Sequence, residues 1–140
     1  RVKEKAEYGV QVFWDHKKIA KNLASASPEI RALEEGIRSK SRGLAYMYRQ
    51  KLENLLKKEM EAGADQSFKE CYGRIRKLVD DICVEKVKKQ EADLQMILNL
   101  SCLVLQDKYP ELAEELDEIN HLEGLYVRFT GPWPPYSFVG

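Results

Sequence analysis

The 140-residue chain is poor in the side chains that most often build catalytic and metal sites. It has only two histidines, and neither His16 nor His121 has a serine, a cysteine or a third ligand grouped with it in the sequence. Both are interpreted as surface or helix-end residues. The eight glycines lack the spacing of a phosphate-binding loop, and no pair of carboxylates stands out as an acid/base couple. These absences predict a protein that is not an enzyme and carries no cofactor or metal.

Cysteine is also scarce. Cys71, Cys83 and Cys102 are an odd number, and none of them forms a C-x-x-C pair. This pattern argues against a disulfide framework or a zinc site, and it favours a reducing compartment. The simplest interpretation is that the three side chains are small, buried or half-buried hydrophobic groups.

The chain has no excess of charge of either sign, since 23 basic residues balance 23 acidic ones. No net field is therefore available to attract nucleic acid or an anionic membrane. The short basic stretch of Lys86, Lys88 and Lys89 is broken by Val87, which favours a solvated face over a nucleic-acid patch. No apolar run reaches the length of a membrane span, and no signal peptide is visible.

What the sequence does contain is a succession of strand and helix patterns. The predicted strands are, in chain order, 7–15, 83–90, 94–105 and 126–130. The first and third have apolar residues on both faces, so they are expected in the centre of a sheet. The second permits either a helix tail or a lysine-rich edge strand; the edge strand is favoured, with a turn at 91–93 after it. In the last strand, Val127 and Phe129 are expected to face the core.

The predicted helices are 16–24, one that begins after Ser27 and breaks at 39–43, then 44–62, about 67–82, and 107–122. Ser27 is expected to cap the second helix, with Pro28 in its first turn. The helix at 44–62 has the strongest pattern, with Leu44, Met47 and Tyr48 on its apolar side. Gly63 is expected to end it in the left-handed conformation.

These elements give the βαββαβ order of a ferredoxin-like antiparallel sheet. The sequence therefore predicts an α+β fold with an enlarged helical first crossover and a Pro/aromatic C-terminal arm at 131–140. By its length, 1–140 is predicted to be a single domain.

The C-terminal segment has an unusual composition. Residues 129–139 hold three of the five prolines and, with Tyr126, five of the thirteen aromatic residues. Proline fixes φ and donates no backbone hydrogen bond, so 131–135 is predicted to be stiff, extended and polyproline-like. Two interpretations remain open: a latch that folds Trp133, Tyr136 and Phe138 over their own domain, and an arm that binds a partner.

The run from Arg128 to Phe138 resembles the C-terminal signature of the GvpL/GvpF family of gas vesicle accessory proteins. Three further pieces agree with it in the family's order. The segment 7–12 resembles the strand that opens the family's C-terminal half, 43–47 resembles the start of its central helix, and 98–104 resembles its later strand. The proline-aromatic run is the specific piece among the four.

This resemblance implies an accessory protein that is needed for gas vesicle formation and works in the cytoplasm at the gas vesicle. It implies binding to the small, hydrophobic shell protein and to other accessory proteins during assembly. Family members are longer and have another domain before this one, and the chain starts at Arg1 without a methionine. We therefore expect the chain to be the C-terminal part of a two-domain protein.

We hypothesise that the C-terminal arm and the helical crossover both contribute to partner binding. The residues expected to contribute are Trp133, Pro134, Pro135, Tyr136, Phe138, Tyr46 and Tyr48. One alternative is a ferredoxin-like ligand-sensing or small enzymatic domain, which would need a concave pocket with convergent polar groups. Another is a partner strand that pairs with the edge strand at 83–90.

Overall fold

The computed structural model describes residues 5–88, 93–134 and 138. Its strands are β1 (Lys5–Asp15), β2 (Asp81–Val84), β3 (Leu94–Leu105) and β4 (Leu125–Trp133). Its helices are α1 (His16–Ala26), α2 (Pro28–Ser39), α3 (Arg42–Arg76) and α4 (Tyr109–Asn120), and a 3₁₀ turn at Gln106–Lys108 precedes α4. None of the helices in the described part of the chain is both long and apolar enough to cross a membrane.

The four strands form one sheet in the order β2-β3-β1-β4. All three pairings are antiparallel, with Val10 opposite both Leu100 of β3 and Phe129 of β4. The predicted α+β class and the central positions of the first and third strands are confirmed. Burial agrees with these central positions, because Val10 and Val12 of β1 and Leu98, Leu100 and Cys102 of β3 are nearly fully buried.

The structure divides into two compact units. The sheet unit comprises the chain up to Asp15 and from Gln66 onward, and the helical unit comprises His16–Asp65. The core of the sheet unit is made of alternate strand residues, two residues of α3 and one face of α4. The fully or nearly fully buried members are Val10, Val12, Trp14, Leu98, Leu100, Cys102, Val104, Cys71, Ile75, Leu112, Leu116 and Ile119.

The helical unit is more open than the sheet unit. Its buried residues are Ile30, Gly36, Ala45 and Met60, and α1 has none. The predicted start of α2 is confirmed, because the backbone N–H of Ile30 donates to the hydroxyl oxygen of Ser27 at 3.3 Å. This bond satisfies one of the amides that every helix leaves free in its first turn.

The prediction of two helices on either side of Gly63 is wrong. The structure has one continuous helix of 35 residues, α3, and Gly63 lies inside it without the positive φ of a left-handed cap. A glycine inside a helix costs only about 1 kcal/mol relative to alanine. Because strong helix formers flank it from Glu59 to Ala64, a glycine alone does not stop the helix.

The favoured interpretation of 83–90 as an edge strand is confirmed, but the strand begins earlier and is shorter than predicted. Strand β2 begins at Asp81 and ends at Val84, and it pairs with β3 at the edge of the sheet. The predicted helix at 67–82 therefore ends earlier than expected, at Arg76. Residues 85–88 have no regular structure. The end of the predicted strand and most of the predicted turn at 91–93 lie outside the described residues.

The last helix and strand lie where they are predicted, although the strand is longer. Gly124 follows α4 with a φ of 80°, which suits the tight turn into β4. Strand β4 continues through Gly131–Trp133, so the first residues of the predicted arm extend the sheet edge instead of starting a separate polyproline segment. An edge strand tolerates Pro132 because one side of its backbone has no strand partner.

Candidate interaction surfaces

The described residues hold no group of three or more His, Cys, Asp or Glu side chains that could bind a metal ion. His121 lies just after α4, with Nδ1 at 2.7 Å from the carbonyl oxygen of Asp117. His16 is the half-buried first residue of α1. Each histidine therefore has a position at a helix end, as the sequence predicts.

The three cysteines are free thiols, and two of them are buried. Burial raises the pKa of Cys71 to about 11 and that of Cys102 to about 12, with smaller contributions from the carboxylates of Glu70 and Glu7. The pKa of half-buried Cys83 is also raised, first by desolvation and then by Glu85. All three thiols are therefore protonated near neutral pH, which suits packing and disfavours nucleophilic roles.

Alkylation should distinguish these cysteines. In the folded protein at mildly alkaline pH, iodoacetamide is expected to modify Cys83 first, because its side chain is partly accessible. Cys71 and Cys102 should stay unmodified until the chain is unfolded, since the thiolate is the reactive form and burial opposes it. Peptide mass spectrometry with and without guanidinium measures all three. Modification of Cys102 at the same rate as Cys83 in the folded protein would contradict this assignment.

In the helical unit, Tyr48 packs against α2 at a glycine. A β-carbon built on Gly36 would lie 2.2 Å from Cδ2 and Cε2 of the Tyr48 ring, so the ring occupies the space that any other residue would need. Tyr48 is half-buried as a result. This contact gives Tyr48 a structural position between α2 and α3, in addition to the partner-binding role that the sequence predicts for it.

The first two turns of α3 expose three apolar side chains. The exposed fractions are 47% for Leu44, 61% for Tyr46 and 53% for Met47. The prediction that Leu44 and Met47 belong to the buried side of this helix is wrong, because Ala45 is the buried residue here. Each residue turns the helix by about 100°, so Leu44 lies about 100° and Met47 about 160° round the helix from Ala45. Both therefore lie outside the buried face. We call Leu44, Tyr46 and Met47 the α3 patch.

Two of the predicted arm residues are exposed at the end of β4. Trp133 is 52% exposed and pairs with Glu7 of β1, and Pro134 after it is also exposed. Phe138 is half-buried. Pro135 and Tyr136 lie outside the described residues. The described arm residues belong to the sheet unit, whereas Tyr46 and Tyr48 belong to the helical unit.

Three aromatic rings cluster at one end of the sheet unit, and the sequence pattern does not reveal this. Tyr8 of β1 stacks on Phe129 of β4 with 5.0 Å between ring centroids, and Tyr109 of α4 lies 5.3 Å from Tyr8 and 5.9 Å from Phe129. Gly131 lies against this cluster. A β-carbon on it would come within 2.9 Å of Cδ1 of Tyr8. The register of β1 and β4 and the packing of α4 bring these residues together, and neither is readable from one sequence.

The chain is similar to curated gas vesicle proteins. It is 27% identical over 138 residues to gas vesicle protein L1 of Halobacterium salinarum. The aligned part covers 94% of this chain and 49% of that protein. It is 28% identical over 147 residues to gas vesicle protein F of a Streptomyces species. That alignment covers 97% of this chain and 55% of the relative. The chain thus spans about half the length of these relatives.

Two solved crystal structures share the fold of this chain. The crystal structure of gas vesicle protein GvpF from an Anabaena species matches 99% of this chain and 55% of its own, with a TM-score of 0.73 at 17% identity. The GvpF structure from Microcystis aeruginosa matches 98% of this chain with a TM-score of 0.59. At such low identity these matches show the fold alone. The sequence model described as gas vesicle synthesis protein GvpL/GvpF matches residues 1–140, and the chain therefore belongs to this gas vesicle accessory family.

Proposed function

We propose that this chain is a non-enzymatic accessory protein that binds the hydrophobic gas vesicle shell protein and other accessory proteins during assembly, in the cytoplasm at the growing vesicle. Membership of the GvpL/GvpF family supports the gas vesicle role. An apolar shell subunit exposes surface that favours aggregation until it is packed. A partner that covers this surface and presents charged helices to water keeps the subunit soluble.

The observation that carries the contact is the exposed α3 patch. Leu44 and Met47 lie one turn apart on the same side of the helix, Tyr46 lies about 100° round the helix from Met47, and each of the three is about half exposed or more. Clustered exposed apolar side chains mark interaction sites, and aromatic residues and methionine are enriched in protein interfaces. Methionine also adapts to irregular partner surfaces because its side chain is unbranched and flexible.

The end of β4 supports the proposal in the sheet unit. Trp133 combines 52% exposure with a backbone held by strand pairing to β1, so it would lose little conformational entropy on binding. Tryptophan is also among the residues most often found to dominate binding energies. We therefore propose that Trp133 and Pro134, with Pro135, Tyr136 and Phe138, contribute to a second contact.

A co-expression pulldown with the shell protein tests the α3 patch. The tagged chain is expected to retain shell protein in soluble form, and the Met47→Glu variant is expected to reduce the retained amount at least tenfold. A buried unpaired carboxylate in an interface costs several kcal/mol, and about 1.4 kcal/mol already corresponds to tenfold in affinity. Leu44→Ala and Tyr46→Ala should reduce retention by smaller factors.

The matched control is Gln66→Glu, which adds the same charge to an exposed position of the same helix. It should retain as much shell protein as the parent chain. A Trp133→Ala and Tyr136→Ala double variant tests the second contact in the same assay. Full retention by every folded variant would contradict both contacts. No retention by the parent chain would contradict the binding role proposed for it.

A further inference from the structure

We propose that the outer edge of β4, where it runs beside α4, binds an extended peptide segment of a protein partner. The segment adds to the sheet as a further strand, inserts an apolar side chain between β4 and α4, and carries a basic residue close to Asp117. The inference concerns the sheet unit alone and does not depend on the gas vesicle role.

One side of strand β4 has no strand partner among the described residues, although one of its outward N–H groups is bonded to α4. Strand β4 is the last strand of the described sheet on the β1 side, and β1 covers only its inner edge. Val127 lies opposite Val12, but its N–H donates to the side-chain oxygen of Asn120 at 2.9 Å instead of to β1. Outward-pointing backbone groups recur at every second residue of an edge strand. The N–H and C=O of Phe129 therefore also point to the outer edge.

A groove runs along this outer edge. Ala113 and Leu116 of α4 form one wall, and Val127 and Phe129 of β4 form the other, with a free volume of about 180 Å³ between them. The wall at Phe129 is held in place, because its ring stacks on Tyr8. A strand that pairs with Phe129 would direct every second side chain into this groove, between its apolar walls and the polar side chains of Asp117 and Asn120 that also line it. Backbone hydrogen bonds and a pocket for alternate side chains together define recognition by strand addition.

The rim of the groove is acidic. Helix α4 contains five carboxylates and no basic residue. Glu115 and Glu118 form ion pairs with Arg74, on another side of the helix. Asp117 is exposed and lines the groove, and its carboxylate lies 3.7 Å from Nδ1 of His121, which attracts it only when the imidazole is protonated. Charge complementarity therefore favours a segment that carries lysine or arginine beside its apolar residue.

The opposite edge of the sheet is a weaker site for strand addition. Strand β2 has four residues, against nine in β4. After β2, the N–H of Glu85 and the C=O of Lys86 bond to Asn99 of β3, so this segment follows β3 without forming a regular edge. Short and irregular edges are features that hinder the pairing of a further strand.

The test uses the full chain and a capped synthetic peptide of three valines alternating with two threonines, with a lysine at each end. In a nuclear magnetic resonance titration up to millimolar peptide, saturable shifts are expected at the amides of Phe129 and Val127. The Ala113→Leu variant should lose at least tenfold in affinity, because its larger side chain fills the groove. Ala62→Leu, the same substitution at an exposed position of helix α3, should bind as the parent does.

Peptide chemistry checks the binding mode. N-methylation of the amides along one edge of the peptide should abolish binding, and N-methylation along the other edge should leave it intact, because a strand is added through one edge only. Asp117→Asn should weaken binding severalfold and reduce its dependence on salt.

Three results would overturn the proposal. The first is the absence of saturable shifts. The second is binding that Ala113→Leu leaves unchanged. The third is occupation of the groove from within the protein: binding that appears only after residues 135–140 are removed, or a dimer that Ala113→Leu dissociates, would assign the groove to the chain's own C-terminus or to a second copy.

Discussion

Replacing Gly131 by alanine is expected to destabilise the sheet unit by about 4 kcal/mol. The residue has a φ of 120°, a conformation in which an L side chain is strained. A β-carbon would also lie 2.8 Å from the carbonyl oxygen of Glu7. That oxygen belongs to β1, whose backbone cannot yield without loss of its pairing with β3. Urea denaturation followed by circular dichroism measures the change.

The matched control is Gly73→Ala, the same substitution in helix α3 of the same unit. A β-carbon at Gly73 would meet no atom within 4 Å, so the substitution should stabilise the unit by about 1 kcal/mol through helix propensity. The two variants thus shift the midpoint in opposite directions. A Gly131→Ala variant as stable as the parent would show that the end of β4 separates from β1 without cost.

Replacing Gly36 by alanine is expected to destabilise the helical unit by about 2–3 kcal/mol. The new β-carbon would overlap the ring of Tyr48, which would have to leave its place against α2. The expected sign is the reverse of the helix-propensity effect, since alanine favours a helix over glycine by about 1 kcal/mol. Loss of helical signal at lower urea concentration would report the change.

Combination with Tyr48→Ala should reverse the effect of Gly36→Ala. Without the ring there is no overlap, so alanine at position 36 should stabilise the Tyr48→Ala background by about 1 kcal/mol. Such a change of sign isolates the contact from the general properties of the helix. If the two substitutions were additive, the ring would have moved aside in the single variant, and the contact would not hold α2 on α3.

The sequence predicts the sheet well because strand patterns depend on burial. Tyr8, Val10, Val12 and Trp14 alternate with residues of the other face, and this alternation is set by which side of the strand meets the core. The sequence predicts some helix ends correctly and others incorrectly. Ser27 marks a start by a specific hydrogen bond, whereas Gly63 only lowers helix propensity, and tertiary packing together with its neighbours outweighs that cost.

The candidate surfaces were harder to predict from the sequence. Helical spacing places Leu44 and Met47 beside Tyr48, but it does not say how wide the covered face of α3 is. The groove along β4 depends on which strand lies at the edge and on the offset between strands and α4. Both are set by contacts between residues far apart in the chain, and one sequence does not encode them in a local pattern.

The central position of β1 also has a consequence for how the chain folds. Gln11 in this strand contacts Asn99 at a separation of 88 residues and Arg128 at a separation of 117 residues. During synthesis, β1 therefore leaves the ribosome well before either of its neighbours. Its edges stay unpaired and its apolar face stays uncovered while the helices of the crossover are made. Pairings this distant in sequence form slowly, so we expect the chain to pass through an aggregation-prone stage before its sheet is complete.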